Sequence, residues 1–278
     1  MLRLTILMVV QVAAAAAEER NGMMLVPARR VLVGTSDAER RELAKRFDCY
    51  PTWLSDDLPR HEATVESFRI DRFPVTNGRY LAFVEATGHA RPSWWKRWDG
   101  AFPTEYADHP VVGLSAQDAD AYAKWAGKRL PTAEEWEAAV AGTNRGLFAW
   151  GDAWPGPLKL PRPSSISWEL PGTQPVGGGG CGRSTAGVED FAGQVLEWVS
   201  DVVSNRGSQF RLLKGASWFH EDPLNFRIAS GWYANEIWQS AFSGLRCALD
   251  SKDTPPGVAQ SQPKQSIGLY ASRDLLPR

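Results

Sequence analysis

Between Thr76 and Gly88 the apolar positions Tyr80, Phe83 and Val84 fall on one face of a 3.6-residue repeat. This predicts a helix that begins after Thr76-Asn77 and stops near the glycine. A second helix is expected from Ser115 to Trp125, with the Ser115 hydroxyl capping backbone N–H groups beside Asp118 and Gly127 following its end. A short third helix opens at Thr132, where Thr132 and Glu135 make the reciprocal capping pattern. Runs rich in apolar or β-branched residues predict strands at Met24 to Val26, Arg30 to Val33, Ala63 to Ile70 and Phe210 to Leu213, each bounded by Gly, Pro or Asp.

No period holds from Gly142 to Gly187, where Gly, Pro and Ser recur throughout, and by itself such a stretch argues against a compact domain. Within it, Gly177 to Gly180 reads either as a mobile hinge or as an ordinary surface loop. Residues 251–278 are rich in Pro, Gln and Ser and read as a disordered tail. At the other end, Arg3, the apolar run Leu4 to Val12 and the small residues Ala13 to Ala17 form an export signal ahead of Glu18-Glu19-Arg20. The run is too short for a permanent membrane span, and no cysteine directly follows it to carry a lipid. A signal cleaved after residue 17 and a periplasmic or secreted mature protein are expected, an uncleaved anchor being the alternative.

Composition changes this picture little. The 278 residues are 43% hydrophobic with a formal net charge of -1, enough to bury a large core and without the charge excess that nucleic-acid binding needs. Among the 13 tryptophans, Trp94, Trp95 and Trp98 sit in a Pro- and Gly-flanked stretch and read as filling irregular loop cores, their indole N–H groups on loop carbonyls. Three cysteines in an exported protein leave at least one unpaired. Cys49 and Cys181 lie in loop-like sequence and are candidate partners for a bridge. The histidines, His61, His89, His109 and His220, show no metal-ligand spacing.

A series of blocks in fixed order carries a resemblance. Met24-Leu25-Val26-Pro27 and Val33-Gly34-Thr35 come first, followed by Phe68 to Tyr80 with its Pro74-Val75-Thr76-Asn77 centre, then Pro110-Val111-Val112 and Ala119 to Trp125. Ala126-Gly127-Lys128-Arg129-Leu130-Pro131-Thr132-Ala133-Glu134-Glu135-Trp136-Glu137, Ala149-Trp150-Gly151-Asp152 and Gly187 to Trp198 come next, and Gly215-Ala216-Ser217-Trp218 and Gly244-Leu245-Arg246-Cys247-Ala248 close the series. Together they resemble the formylglycine-generating, or sulfatase-modifying, family over roughly residues 22–250. The resemblance implies an α+β fold related to C-type lectins, in which long irregular segments pack around a small twisted sheet.

It also implies a calcium loop at Asp190, the carbonyls of Gly193 and Val195, and Glu197, an oxygen-only set that suits Ca²⁺. The alternative is that Glu197 pairs with an arginine while Asp190 caps a turn. Gln194 and Leu196 depart from the family's Asn and Trp. The family's oxidases further carry two copper-binding cysteines between the last two blocks. Counting forward from Gly215 puts these at Asn225 and Ser230, and counting back from Gly244 moves the second to Ile228, so no thiol is present and no copper is expected. Cys247 falls on a family cysteine, but Ala138-Ala139-Val140 stands where its disulfide partner would be.

What remains over the ancestral site is polar and aromatic: Trp198, Trp218, His220, Glu221, Arg227, Trp232 and Trp238 form the candidate pocket. Part of a His/carboxylate iron site at His220 with Glu221 or Asp222 is one reading, a solvated polar turn the other. By the same resemblance the function expected is that of an exported accessory or maturation factor acting on a protein or peptide client or a small metabolite. An oxidoreductase using another metal or cofactor, and a lectin-like module that binds peptide or glycan, are the alternatives.

Overall fold

The computed structural model describes residues 22–98, 100–142, 146–155, 172–178, 182–205 and 208–251. The expected export signal, Cys181, Gly179 and Gly180, and the expected tail from residue 252 lie outside them. The three expected helices are present. The helix Asn77–Thr87 is capped by the Thr76 side chain on the Arg79 N–H and ends at Gly88 with φ 72°. The helices Ala116–Trp125 and Ala133–Ala141 each open with a reciprocal capping box, Ser115 with Asp118 and Thr132 with Glu135. In chain order these are α2, α3 and α4, because a further helix, α1, spans Asp37–Arg46. It opens with its own capping box, Ser36 with Glu39, and buries only Ala44.

Strands β1 (Met23–Val26) and β11 (Ala248–Asp250) flank β4 (Phe68–Asp71) in an antiparallel sheet. β2 (Arg29–Val33) pairs with β3 (His61–Val65). The expected strand Ala63 to Ile70 is thus two strands in two sheets. Val65 and Phe68 are both buried although the span between them is too short to keep a single alternation, so the chain turns at Glu66-Ser67 and changes partner. The largest sheet has the order β10-β6-β7-β9, formed by Ser243–Gly244, Leu196–Asn205, Ser208–Lys214 and Gly231–Ala234. Two short strands, β5 (Ala192–Gln194) and β8 (Ala216–Ser217), pair in parallel beside it.

Two large apolar cores result, with a smaller third around Trp94 and Trp218. Val26, Phe68, Ile70, Trp136 and Phe191 pack between the small sheets and α4, while Tyr80, Phe83, Tyr122, Trp198 and Leu213 pack between α2, α3 and the larger sheet. Trp94 and Trp95 are both buried, as expected of loop-core fillers. The Trp95 indole N–H donates to the Asn77 side chain rather than to a loop carbonyl, and the Trp94 N–H has no partner.

A buried ion pair joins the two cores. The Lys214 Nζ donates to Glu137 Oε1 at 2.9 Å and to the Ala229 carbonyl at 3.0 Å, and Glu137 Oε2 accepts the Gly34 N–H. Replacing one member of a buried pair removes the counter-charge but not the desolvation of the other. Lys214→Met is therefore expected to lower the free energy of unfolding by about 3–5 kcal/mol in urea denaturation. Adding Glu137→Gln should restore part of that loss.

Candidate functional site

The turn from Asp190 to Glu197 enters the core from β5 into β6. Asp190 holds φ 59°, a left-handed conformation that Asp tolerates, and its Oδ2 accepts the Gly177 N–H at 2.6 Å. Burial pushes the Asp190 carboxyl up, with the Gly177 bond and Arg246 opposing. Gln194 binds the same segment twice: its Oε1 accepts the Gln174 N–H and its Nε2 donates to the Gln174 carbonyl. These bonds tie residues 174–177 to the core.

Glu197 is fully buried and its carboxylate is committed. Arg246 Nε and Nη2 each donate to it at 2.7 Å, one to each oxygen, and the Trp136 indole N–H adds a third bond at 2.7 Å. The arginine pairing left open at the sequence level is the one realised, and Asp190 does hold a turn. As arranged, the set of Asp190, Gly193, Val195 and Glu197 does not fit a calcium ion, because a guanidinium spans the glutamate oxygens that the ion would need. Among the described residues, no three His, Cys, Asp or Glu side chains are grouped to hold a metal ion.

The candidate pocket residues separate into two sets. Trp198 is buried in the core and donates to the Leu114 carbonyl; Trp218 is buried and donates to the Ala241 carbonyl. Arg227 is buried too, with Nη1 and Nη2 on the two Asp57 oxygens at 2.6 and 3.1 Å and Nε on the Leu224 carbonyl. These three brace the structure. Trp232 and Trp238 are half-buried, and their indole N–H groups have no partner among the described residues. Glu221 is exposed.

His220 sits between these sets. Its ring packs 4.9 Å from Trp232, and Nδ1 accepts the Ser217 N–H at 2.9 Å. The proton of the neutral ring is therefore on Nε2. Burial pulls its pKa down to about 4, so the ring is neutral at physiological pH. Phe219 stacks on Phe242 at 5.5 Å, Phe242 meets Trp238 at 5.8 Å, and Trp238 stands edge-on to Trp198 at 6.1 Å. The arrangement is an aromatic rim with neutral N–H donors.

No thiol pair is part of it. Asn225 lies in a 3-10 turn, Pro223–Phe226, and Ile228 and Ser230 are buried. Cys247 is buried in the core, and Cys49 is a free thiol pushed up by burial and by the negative charges of Asp222 and Asp48, with Arg227 opposing. Sequence reasoning missed Asp57, the partner of Arg227, and Asp56 beside it. Neither lies in a recognisable block, and Asp57 is 170 positions from its arginine. Burial, helped by the charge of Asp57 and opposed by the Ser55 hydroxyl, pushes Asp56 up to about 6.

The sequence matches the sulfatase-modifying factor enzyme 1-like domain over residues 10–251. The chain belongs to this family. It is similar to the hercynine oxygenase of Mycobacterium tuberculosis, 31% identical over 72% of this chain and 56% of that protein. It therefore spans little more than half of that relative's length. It is also similar to the formylglycine-generating enzyme of Streptomyces coelicolor, 31% identical over 73% of this chain and 85% of the enzyme. The fold matches the solved structure of PvdO from Pseudomonas aeruginosa with a TM-score of 0.60 at 22% identity, covering 82% of this chain and 94% of that one. The architecture is that of the formylglycine-generating enzymes, as the sequence blocks imply.

Two outcomes test this geometry. If Arg246 is the partner of Glu197, Glu197→Gln lowers the melting temperature by the same amount in EDTA as in millimolar calcium; a loss seen only with calcium present would assign the carboxylate to the ion. The second concerns pH. Unfolded His220 takes a proton near 6.5 and the folded ring only near 4, so its contribution is lost as pH falls through that window. Asp56 has the opposite sign: the unfolded carboxyl ionises near 3.8 and the folded one near 6, so its contribution is lost as pH rises between them. Melting curves across these windows should show His220→Asn losing less stability than the native protein on acidification, and Asp56→Asn losing less on the rise.

Proposed function

We propose that this protein is an exported accessory or maturation factor that binds a protein or peptide client, or a small metabolite, and is not a copper-dependent formylglycine generator. The observation that carries the reading is the absence of any cysteine between Gly182 and Arg246, so the segment over the ancestral site supplies no soft ligand for Cu(I). Asn225 and Ser230, or Ile228, stand at the thiol positions, and the same segment offers His220, Trp232 and Trp238 as binding groups.

Export rests on Arg3, the apolar run Leu4 to Val12 and Ala13 to Ala17. None of the described helices is long and apolar enough to cross a membrane. The likeness to a hercynine oxygenase keeps redox chemistry with another metal as the second reading.

A cysteine-free protein separates the two lines of chemistry. Cys49→Ser, Cys181→Ser and Cys247→Ala combined should complement a deletion of the gene as well as the native sequence does. Incubation with Cu(I) and a sulfatase-type Cys-x-Pro-x-Arg peptide should leave the peptide mass unchanged. A formylglycine product, or failure of a folded cysteine-free protein to complement, would overturn the reading.

A further inference from the structure

The larger sheet ends at β9, whose four residues are Gly231, Trp232, Tyr233 and Ala234. In an antiparallel pair every second residue turns both its N–H and its C=O away from the partner strand. Those of β9 have no partner among the described residues: the strand's hydrogen bonds run to β7 alone. Two other edge strands are dealt with. β10 is two residues long, and β11 is closed by the mutual backbone bonds of Arg129 and Ala248. Protein edges are normally blunted by Lys, Pro, bulges or cover. β9 carries no charge and no proline.

Its surroundings are not neutral. The Asp56 carbonyl approaches Gly231 so closely that a β-carbon there would lie 2.6 Å from it, which seats the segment leading into Asp56 against the start of β9. That segment presents Tyr50 and Trp53, 71% and 64% exposed, as an edge-on pair 6.3 Å apart. Asp56, Asp57 and Asp201 act together on the Tyr233 hydroxyl, and Asp48 and Asp222 on the neighbouring Cys49. The cations near them are spent: Arg227 on the Asp57 carboxylate, Arg40 on the Asp57 carbonyl and Asp37, and Lys214 on Glu137.

We propose that the free edge of β9 takes an extended, basic-apolar segment of a client protein as an added strand, with Tyr50 and Trp53 receiving its apolar side chains and the Asp48, Asp56 and Asp222 carboxylates its Lys or Arg. This deepens the client reading above and rests on it. Main-chain bonds give such a site its affinity, and the flanking side chains its selectivity.

The test uses the mature protein and a fluorescein-labelled heptapeptide of alternating Val and Lys. Saturable anisotropy is expected, with the Val/Glu counterpart at least about tenfold weaker because like charges face each other. Two further Val/Lys peptides carry N-methyl groups on one or the other alternate set of amides. One set blocks binding and the other does not, since only one edge of an added strand meets β9. Tyr233→Pro and Ala234→Pro supply the protein side. The one whose N–H faces outward keeps the melting temperature and abolishes binding.

No binding of the Val/Lys peptide, or equal binding of both N-methylated forms, overturns the proposal, and equal binding of the Val/Glu peptide overturns its charge selectivity. If both proline variants unfold, the N-methylated pair decides alone. A protein that binds these peptides but whose deletion has no phenotype would sink the maturation-factor reading and leave the edge site standing.

Discussion

The structure depends on one buried guanidinium. Arg246 lies in β-sheet surroundings with no exposed surface, and all its donors are used: two on Glu197, one each on the carbonyls of Asp71 and Arg72, and one on the carbonyl of Glu189. Glu197 in turn holds the Trp136 indole on α4. A charge this deep is tolerable only when every hydrogen bond is made, and breaking one partner leaves the other desolvated. The end of β4, the turn before β5, the start of β6 and the first helical turns of α4 must therefore assemble together. Asp71 extends the same set, accepting from Lys128 and from the Cys247 N–H, which brings β11 into register beside β4.

That constraint explains why so many of the polar groups over the ancestral site are spoken for. Residues whose donors reach inward, Trp198, Trp218 and Arg227, serve the frame; the indole N–H groups of Trp232 and Trp238 have no partner among the described residues. His220 stands on the boundary, with one nitrogen anchored to Ser217 and the protonated one left over. A buried imidazole that stays neutral is a directional donor and not a counter-charge.

The three expected helices were legible because each carries its own local instruction: a capping side chain, an apolar face and a glycine at or just past its end. The conserved-order blocks likewise located the frame. Two things were not legible for physical reasons. α1 has no apolar stripe, since only Ala44 is buried, so periodicity is silent and only the Ser36 and Glu39 pair marks its start. β6 runs from Leu196 to Asn205, and its register against β7 shifts between Trp198 and Val202, which breaks the alternation that would announce a strand. The pairing of Glu197 was a choice between ion and arginine that spacing alone could not make. The outcome turns on a residue 49 positions away.

The 37–60 excursion ties these observations together. It leaves β2, forms α1, and returns through the turn Pro51–Leu54 to β3; the Asp57 carboxylate, fixed also by the Thr35 hydroxyl, clamps Arg227 from the opposite end of the chain. One buried pair thus fastens the excursion onto the loop that precedes β9. If the excursion served the frame alone, its apolar residues would point inward, as Leu54 and Leu58 do. Tyr50 and Trp53 instead face solvent beside Asp56, whereas Trp94, Trp95, Trp136, Trp198 and Trp218 are buried. Large aromatic side chains exposed next to a strand whose outward main-chain groups have no partner among the described residues are the combination from which protein recognition is built.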